Sequence, residues 1–245
     1  MRVVVIGATS AIAEHCCRLW VAREVCELVL VARDVAKAGR VADDLRVRSP
    51  ASTITVVEAD FLDAAAIGRL ADEMAAHPID IVLIAHGMLP EQSLCESDLL
   101  LCRDTLEVNA LSPALFAEAF AGHFAKAGRG TLAIIGSVAG DRGRKANYTY
   151  GACKGLVARY AEGLEHRFAG TGVSVVLIKP GPTDTPMAAA HRALGRRLAS
   201  VEAVARASVR GIDARRAVVY APTRWALIML VVRHLPRFVF NRLNL

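Results

Sequence analysis

Short β-branched runs recur along this chain, and the stretches between them are alanine-rich with helical spacing. Near-continuous apolar runs at Arg2 to Ile6, Glu27 to Val31, Ser52 to Glu58, Ile79 to Ala85, Gly130 to Gly136, Gly172 to Lys179 and Ala217 to Tyr220 predict strands covered on both faces. Helices are expected to open near Ala11, Val35, Ala64, Leu99 and Tyr150. This alternation predicts an α/β fold: a doubly wound parallel sheet of about seven strands with helices on both faces. No internal repeat or low-complexity linker interrupts the series, so residues 1–245 read as a single domain. Two segments depart from the rhythm. Residues 185–210 have helical composition and no strand, and residues 222–245 form a tail in which apolar and basic residues mix.

Candidate chemistry lies in the middle of the chain. Tyr150 and Lys154 are separated by four residues, so on a helix they share a face about 5–6 Å apart at Cβ. A fixed cation beside a phenol favours the phenolate and draws its pKa down from about 10 toward the working range of an acid–base catalyst. Ser137 follows the run Thr131 to Gly136, where an open α/β sheet presents site residues. Tyr-x-x-x-Lys alone is more often a solvated helix face; the position of Ser137 changes that weighting. At the other end of the chain, Gly7, Thr9, Ser10, Ala11 and Ile12 form a turn between the first strand and first helix, a setting that places a pyrophosphate on a helix N-terminus. Past the second strand comes Arg33, whose forked cation suits a ribose 2′-phosphate, although Asp34 beside it blurs the reading. NADP(H) is therefore favoured over NAD(H).

Five motifs in order resemble the short-chain dehydrogenase/reductase family: the glycine-containing first turn, Asn109 in Glu-Val-Asn-Ala, Ser137 in Gly-Ser-Val-Ala-Gly, Tyr150 with Lys154, and Pro180-Gly181-Pro-Thr183-Asp-Thr185-Pro-Met187. The resemblance implies a Rossmann-like fold and hydride exchange between a nicotinamide and a carbonyl, with 185–210 as a substrate lid. It implies that Tyr150 donates the proton, Lys154 holds the nicotinamide ribose, Ser137 binds the substrate oxygen and Asn109 holds a water. Asp60 would meet the adenine, Ala85 and Gly87 would line the cofactor, and Pro180, Gly181, Thr183 and Thr185 would border the carboxamide. A homodimer or homotetramer is implied as well. The chain departs from the family where glycines are usual at Ala11 and Ala13, and where Ile84-Ala85-His86-Gly87 replaces Asn-Asn-Ala-Gly. Structural packing is the favoured reading of His86. A catalytically weak nucleotide-sensing or scaffold protein stays open as the alternative.

Composition narrows the partners. The net charge of +6 invites a nucleic-acid reading, but only 5% of residues are aromatic and no nucleic-acid motif is present, so an acidic small molecule or anionic membrane surface fits better. Six cysteines without a CxxC pair or metal-ligand spacing predict reduced thiols and no metal site. The N-terminus opens directly on a strand, which predicts no signal peptide and a cytoplasmic protein, peripheral at most on the inner membrane face.

Two basic features bear on substrate. Arg142 and Arg144 lie in the loop after Ser137 and are candidates for a substrate phosphate, with a solvated loop as the alternative. The run Trp225 to Val232 is too short to cross a bilayer, and its flanking arginines suit an interface; core packing or a subunit contact fits equally. With these features the chain also resembles reductases similar to decaprenylphosphoryl-2-keto-ribose reductase. That implies a lipid-linked keto-sugar as the carbonyl substrate.

Overall fold

The computed structural model describes residues 1–193, 195 and 197–243. Along the chain run β1 (Arg2–Ile6), α1 (Ala11–Arg23), β2 (Glu27–Ala32), α2 (Val35–Arg48), β3 (Thr53–Glu58), α3 (Ala64–Ala75) and β4 (Ile81–Ile84). Then come α4 (Gln92–Ser97), α5 (Leu99–Leu106), α6 (Ser112–Ala127), β5 (Arg129–Ile135), α7 (Tyr148–Arg167) and β6 (Gly172–Pro180). The last elements are α8 (Ala189–Ala193), α9 (Val201–Asp213), β7 (Val218–Ala221), α10 (Arg224–His234) and α11 (Arg237–Phe240). Local chemistry sets several starts: Asp34, Asp63 and Asp98 each accept a backbone N–H of the helix that follows, and Ser200 does the same for α9.

The strands form one parallel sheet in the order β3-β2-β1-β4-β5-β6-β7, as the alternating pattern predicts. One face buries Trp20 and Cys16 of α1, Leu45 of α2 and Val204 of α9; the other buries Ile67 of α3, Phe116 and Phe120 of α6 and Val157 of α7. Strand order reverses between β1 and β4. That switch point leaves a crevice at the C-terminal ends of the strands, where ligands bind in open α/β sheets.

Two differences from expectation matter for function. The helix expected from Leu99 is two helices, joined by a single π-helical stretch, Glu107–Leu111, that carries Asn109. Such a bulge re-aims side chains, and it turns Asn109 inward to complete burial. Second, the later part of the 185–210 segment is core: Val201, Val204, Ala205, Ser208, Val209 and Ile212 recur at helical spacing and face the sheet and α1. Ala199, just before the helix, joins the same cluster. The tail folds as two short helices, α10 and α11.

Candidate active site

The crevice is built by close backbone approaches. Gly7 has φ +85°, a conformation that favours glycine, and a Cβ there would lie 2.6 Å from the backbone nitrogen of His86. Its N–H and that of Ala8 both bond the Val31 carbonyl, holding the turn between β1 and α1 against β2. Ser10 is the N-cap residue of α1 and makes no side-chain cap bond, so it takes up none of the first-turn N–H groups at this end of the helix. Ala13 is fully buried in the core under α1, so its methyl is accommodated by packing. This cradle fits a dinucleotide pyrophosphate.

Ser137, Tyr150, Lys154 and Asn109 converge beside it. Residues Val138–Asp141 form one 3₁₀ turn against α7, and Gly140 permits the contact: a Cβ there would lie 2.5 Å from the Lys154 carbonyl oxygen. The turn sets the Ser137 hydroxyl, which accepts the Ala139 N–H at 3.1 Å, near enough to the Tyr150 phenol to act on its pKa. Tyr150 lies in the first turn of α7, a start that Gln92 secures: its Oε1 accepts the Thr149 N–H at 3.0 Å, while its Nε2 donates to Thr149 Oγ1. Lys154 is 3% exposed and donates to the Ile135 carbonyl at 3.1 Å, with its ammonium 5.7 Å from the Tyr150 ring centre. Asn109 donates to the Thr105 carbonyl and accepts the Met88 N–H at 2.9 Å. Gly87 lies between these groups, since a Cβ there would be 2.7 Å from Asn109 Oδ1 and 3.7 Å from Lys154 Nζ.

The electrostatics correct one expectation. Burial pushes the Tyr150 phenol up to about 12, against a downward pull from the Ser137 hydrogen bond; the phenol is not drawn down by Lys154. Lys154 is itself brought down to about 8 by burial, and its ammonium donates to the Ile135 carbonyl. His86 is likewise pushed down to about 3, first by burial and then by Lys154 and Arg33. It is neutral, bonded to Ser112 at 2.9 Å and set edge-on to Phe61 and Phe116, in keeping with a packing role.

Other expected cofactor residues border the same crevice. Arg33 is exposed, its guanidinium 6.0 Å above the Phe61 ring, while Asp34 is occupied as the N-cap of α2. Asp60 accepts the Leu62 N–H and Ala85 pairs with Ile6. Pro180 ends β6, and Gly181 is packed beneath the Trp225 indole; Thr183 bonds back to the Gly181 carbonyl, with Thr185 following.

Arg142 is the clear correction. Its guanidinium donates to the Val232 and Leu235 carbonyls at 2.5 and 2.7 Å and stacks 3.8 Å from the Phe240 ring centre. It caps the C-terminal end of α10 and is not presented to a substrate phosphate. Arg144 is half-buried in the same loop. The residue before Arg142 was missed altogether: Asp141 accepts from Lys179 at 2.5 Å and from Tyr220 at 2.7 Å, tying the Ser137 loop to β6 and β7. A lysine inside an otherwise apolar strand run was the available signal. Among the described residues no cluster of three His, Cys, Asp or Glu side chains is placed to hold a metal.

A dinucleotide cradle at the switch point, beside a serine, a tyrosine and a buried lysine, defines a class of nicotinamide-dependent oxidoreductases. Residues 1–194 match the short chain dehydrogenase family, and the chain belongs to it. An uncharacterized oxidoreductase of Mycobacterium tuberculosis H37Rv is 33% identical, with 98% of this chain and 96% of that protein covered. An uncharacterized oxidoreductase of Streptomyces coelicolor is 31% identical over 98% and 94%. Among solved structures, a short-chain dehydrogenase from Sphingobium yanoikuyae in complex with NADPH superposes with TM-score 0.83 at 23% identity, covering 97% of both chains. A bulky-bulky ketone specific alcohol dehydrogenase from Comamonas testosteroni gives 0.80 at 24% identity, covering 99% and 94%.

Proposed function

We propose that this protein is an NADPH-dependent carbonyl reductase in which Tyr150 gives a proton to the substrate oxygen. The observation that carries the reading is the convergence of Ser137, Tyr150 and the buried Lys154 ammonium, which lies 5.7 Å from the Tyr150 ring centre and donates to the Ile135 carbonyl. A bound nicotinamide supplies the hydride, and the chain supplies position and polarity. Ser137 holds the carbonyl oxygen near the Tyr150 phenol, which the raised pKa keeps protonated and ready to donate. Lys154 holds the ribose, and Asn109 orders the solvent path that returns the proton. Arg33 grips the 2′-phosphate, a reading supported by the engagement of Asp34 elsewhere and by the NADPH in the Sphingobium structure.

For the substrate we favour a bulky, lipid-linked keto-sugar reached at the cytoplasmic membrane face, as in the reductases similar to decaprenylphosphoryl-2-keto-ribose reductase. Support comes from the basic, apolar tail held against the Ser137 loop. The exposed leucines 99, 100, 111, 115 and 156 on α5, the π stretch, α6 and α7 suit the pairing of subunits into a homodimer or homotetramer. NADPH titration followed by turnover on a panel of ketones and keto-sugars tests the activity. Oxidation of NADPH by at least one carbonyl is expected; tight NADPH binding without turnover on any of them would replace this reading with the nucleotide-sensing one.

A further inference from the structure

Helix α10 is apolar on both sides. Trp225, Met229 and Val232 recur at i, i+4 and i+7 and face the protein, with Met229 only 2% exposed. Opposite them, Leu227 (68%), Leu230 (55%) and Val231 (55%) stand in solvent with Ile228, and Phe238 of α11 (68%) continues the patch. A helix apolar all round ordinarily lies buried, so this outer face calls for a covering. The patch is not a loose end. Arg142 holds the C-terminal end of α10, and Trp225 fills the space over Gly181.

We infer that α10 and α11 dock the enzyme on an anionic lipid surface. Charge chooses this occupant. Asp213 is the last acidic residue of the sequence, and Arg215, Arg216, Arg224, Arg233, Arg237 and Arg242 follow it. Arg224, Arg233, Arg237 and Arg242 flank the exposed leucines and phenylalanine and are themselves exposed. A two-fold contact between copies across α10 would set these arginines against their own images, which repels, whereas anionic headgroups neutralise them. With 11 residues the helix is about 16 Å long, roughly half of a bilayer core, so it lies in the interface and does not span it. No described helix is long and apolar enough to cross a membrane. Because α10 rests on the Gly181 turn and on the Ser137 loop, docking sets the mouth of the catalytic crevice close to the lipid. This goes beyond the substrate reading and would hold for a reductase of a free ketone.

The test uses the full chain, sedimented with vesicles of phosphatidylcholine alone or with one part phosphatidylglycerol to two parts phosphatidylcholine, beside its mass in solution. Binding to the anionic vesicles, weakened by salt and small on the neutral ones, is expected. Leu227→Glu with Leu230→Glu should cut partitioning at least about tenfold, with mass and turnover of a water-soluble ketone unchanged. Arg237→Gln with Arg242→Gln keeps the apolar face and should weaken binding to anionic vesicles alone. Absence of binding by the native protein overturns the inference. So does a fall in mass for the leucine variant, which assigns the face to a second copy, or unchanged anionic binding by the arginine variant. Vesicle binding reads α10 and ketone turnover reads Tyr150, so either proposal can fail without the other.

Discussion

The crevice at the ends of the strands and the C-terminal tail meet at the Ser137 to Arg142 loop and the Gly181 turn, yet they are held by opposite means. In the crevice, Asn109 and Lys154 are buried and each has named hydrogen-bond partners, which is how polar groups survive removal from water. In the tail Leu227, Leu230, Val231 and Phe238 are exposed, and the anchoring comes from Met229 and Trp225 on the inner face and from Arg142 gripping main-chain carbonyls. The crevice is a finished object that positions atoms. The tail is a fastened surface whose outer face is unpaired within the chain, so its physics is that of recognition and not of folding.

The sharpest way to break the comparison is to disturb the crevice by one methyl. Gly87→Ala places a Cβ against Asn109 Oδ1 near Lys154, and ketone kcat/KM should fall about 100-fold or more, as small misplacements in catalytic geometry do. Native-like rates would mean that this cluster is not rigid. Next in size is Arg33→Ala, which should weaken NADPH about 10–150-fold, the value of a lost charged hydrogen bond, while leaving NADH nearly untouched. Equal losses for both dinucleotides, read by fluorescence titration, would reject the assignment.

A third prediction concerns pH. Burial disfavours the charged form of Lys154, so its ammonium is intact below about pH 8 and is lost as pH rises through that value. Reductive kcat/KM for free enzyme and substrate should therefore decline above pH 8, by about tenfold per unit in the limit. A profile flat to pH 10 contradicts this. The smallest effect belongs to the tail: Arg142→Ala should speed amide exchange in α10, while turnover of a soluble ketone stays within a factor of about 3, under 1 kcal/mol in barrier. A larger loss of turnover would show that the tail is part of the catalytic unit.

What was legible in the sequence follows the same division. The seven strands and the pairing of Tyr150 with Lys154 on one helix face could be read because each rests on local spacing, an apolar run or a helical i, i+4 pair. Long-range contacts could not. Arg142 meets carbonyls 90 and 93 positions later, and Gln92 clamps Thr149 57 positions away, so neither leaves a local pattern. Arg142 consequently looked like a phosphate ligand. The later part of the 185–210 segment was misplaced for a different reason: α9 has a clear apolar stripe, but the resemblance to a lid outweighed it. The pKa of Tyr150 was misjudged because spacing locates Lys154 without showing where its ammonium points.

The central claim is that Tyr150 is the proton donor of a reductase, and one substitution addresses it directly. Tyr150→Phe keeps the ring that packs in α7 and removes only the hydroxyl that lies near Ser137. Measured with NADPH and the best ketone found for the native protein, kcat/KM should fall about 10²–10⁴-fold, the usual worth of a positioned acid, while NADPH affinity stays the same. A variant that turns over within a factor of about 3 of the native rate would contradict the account.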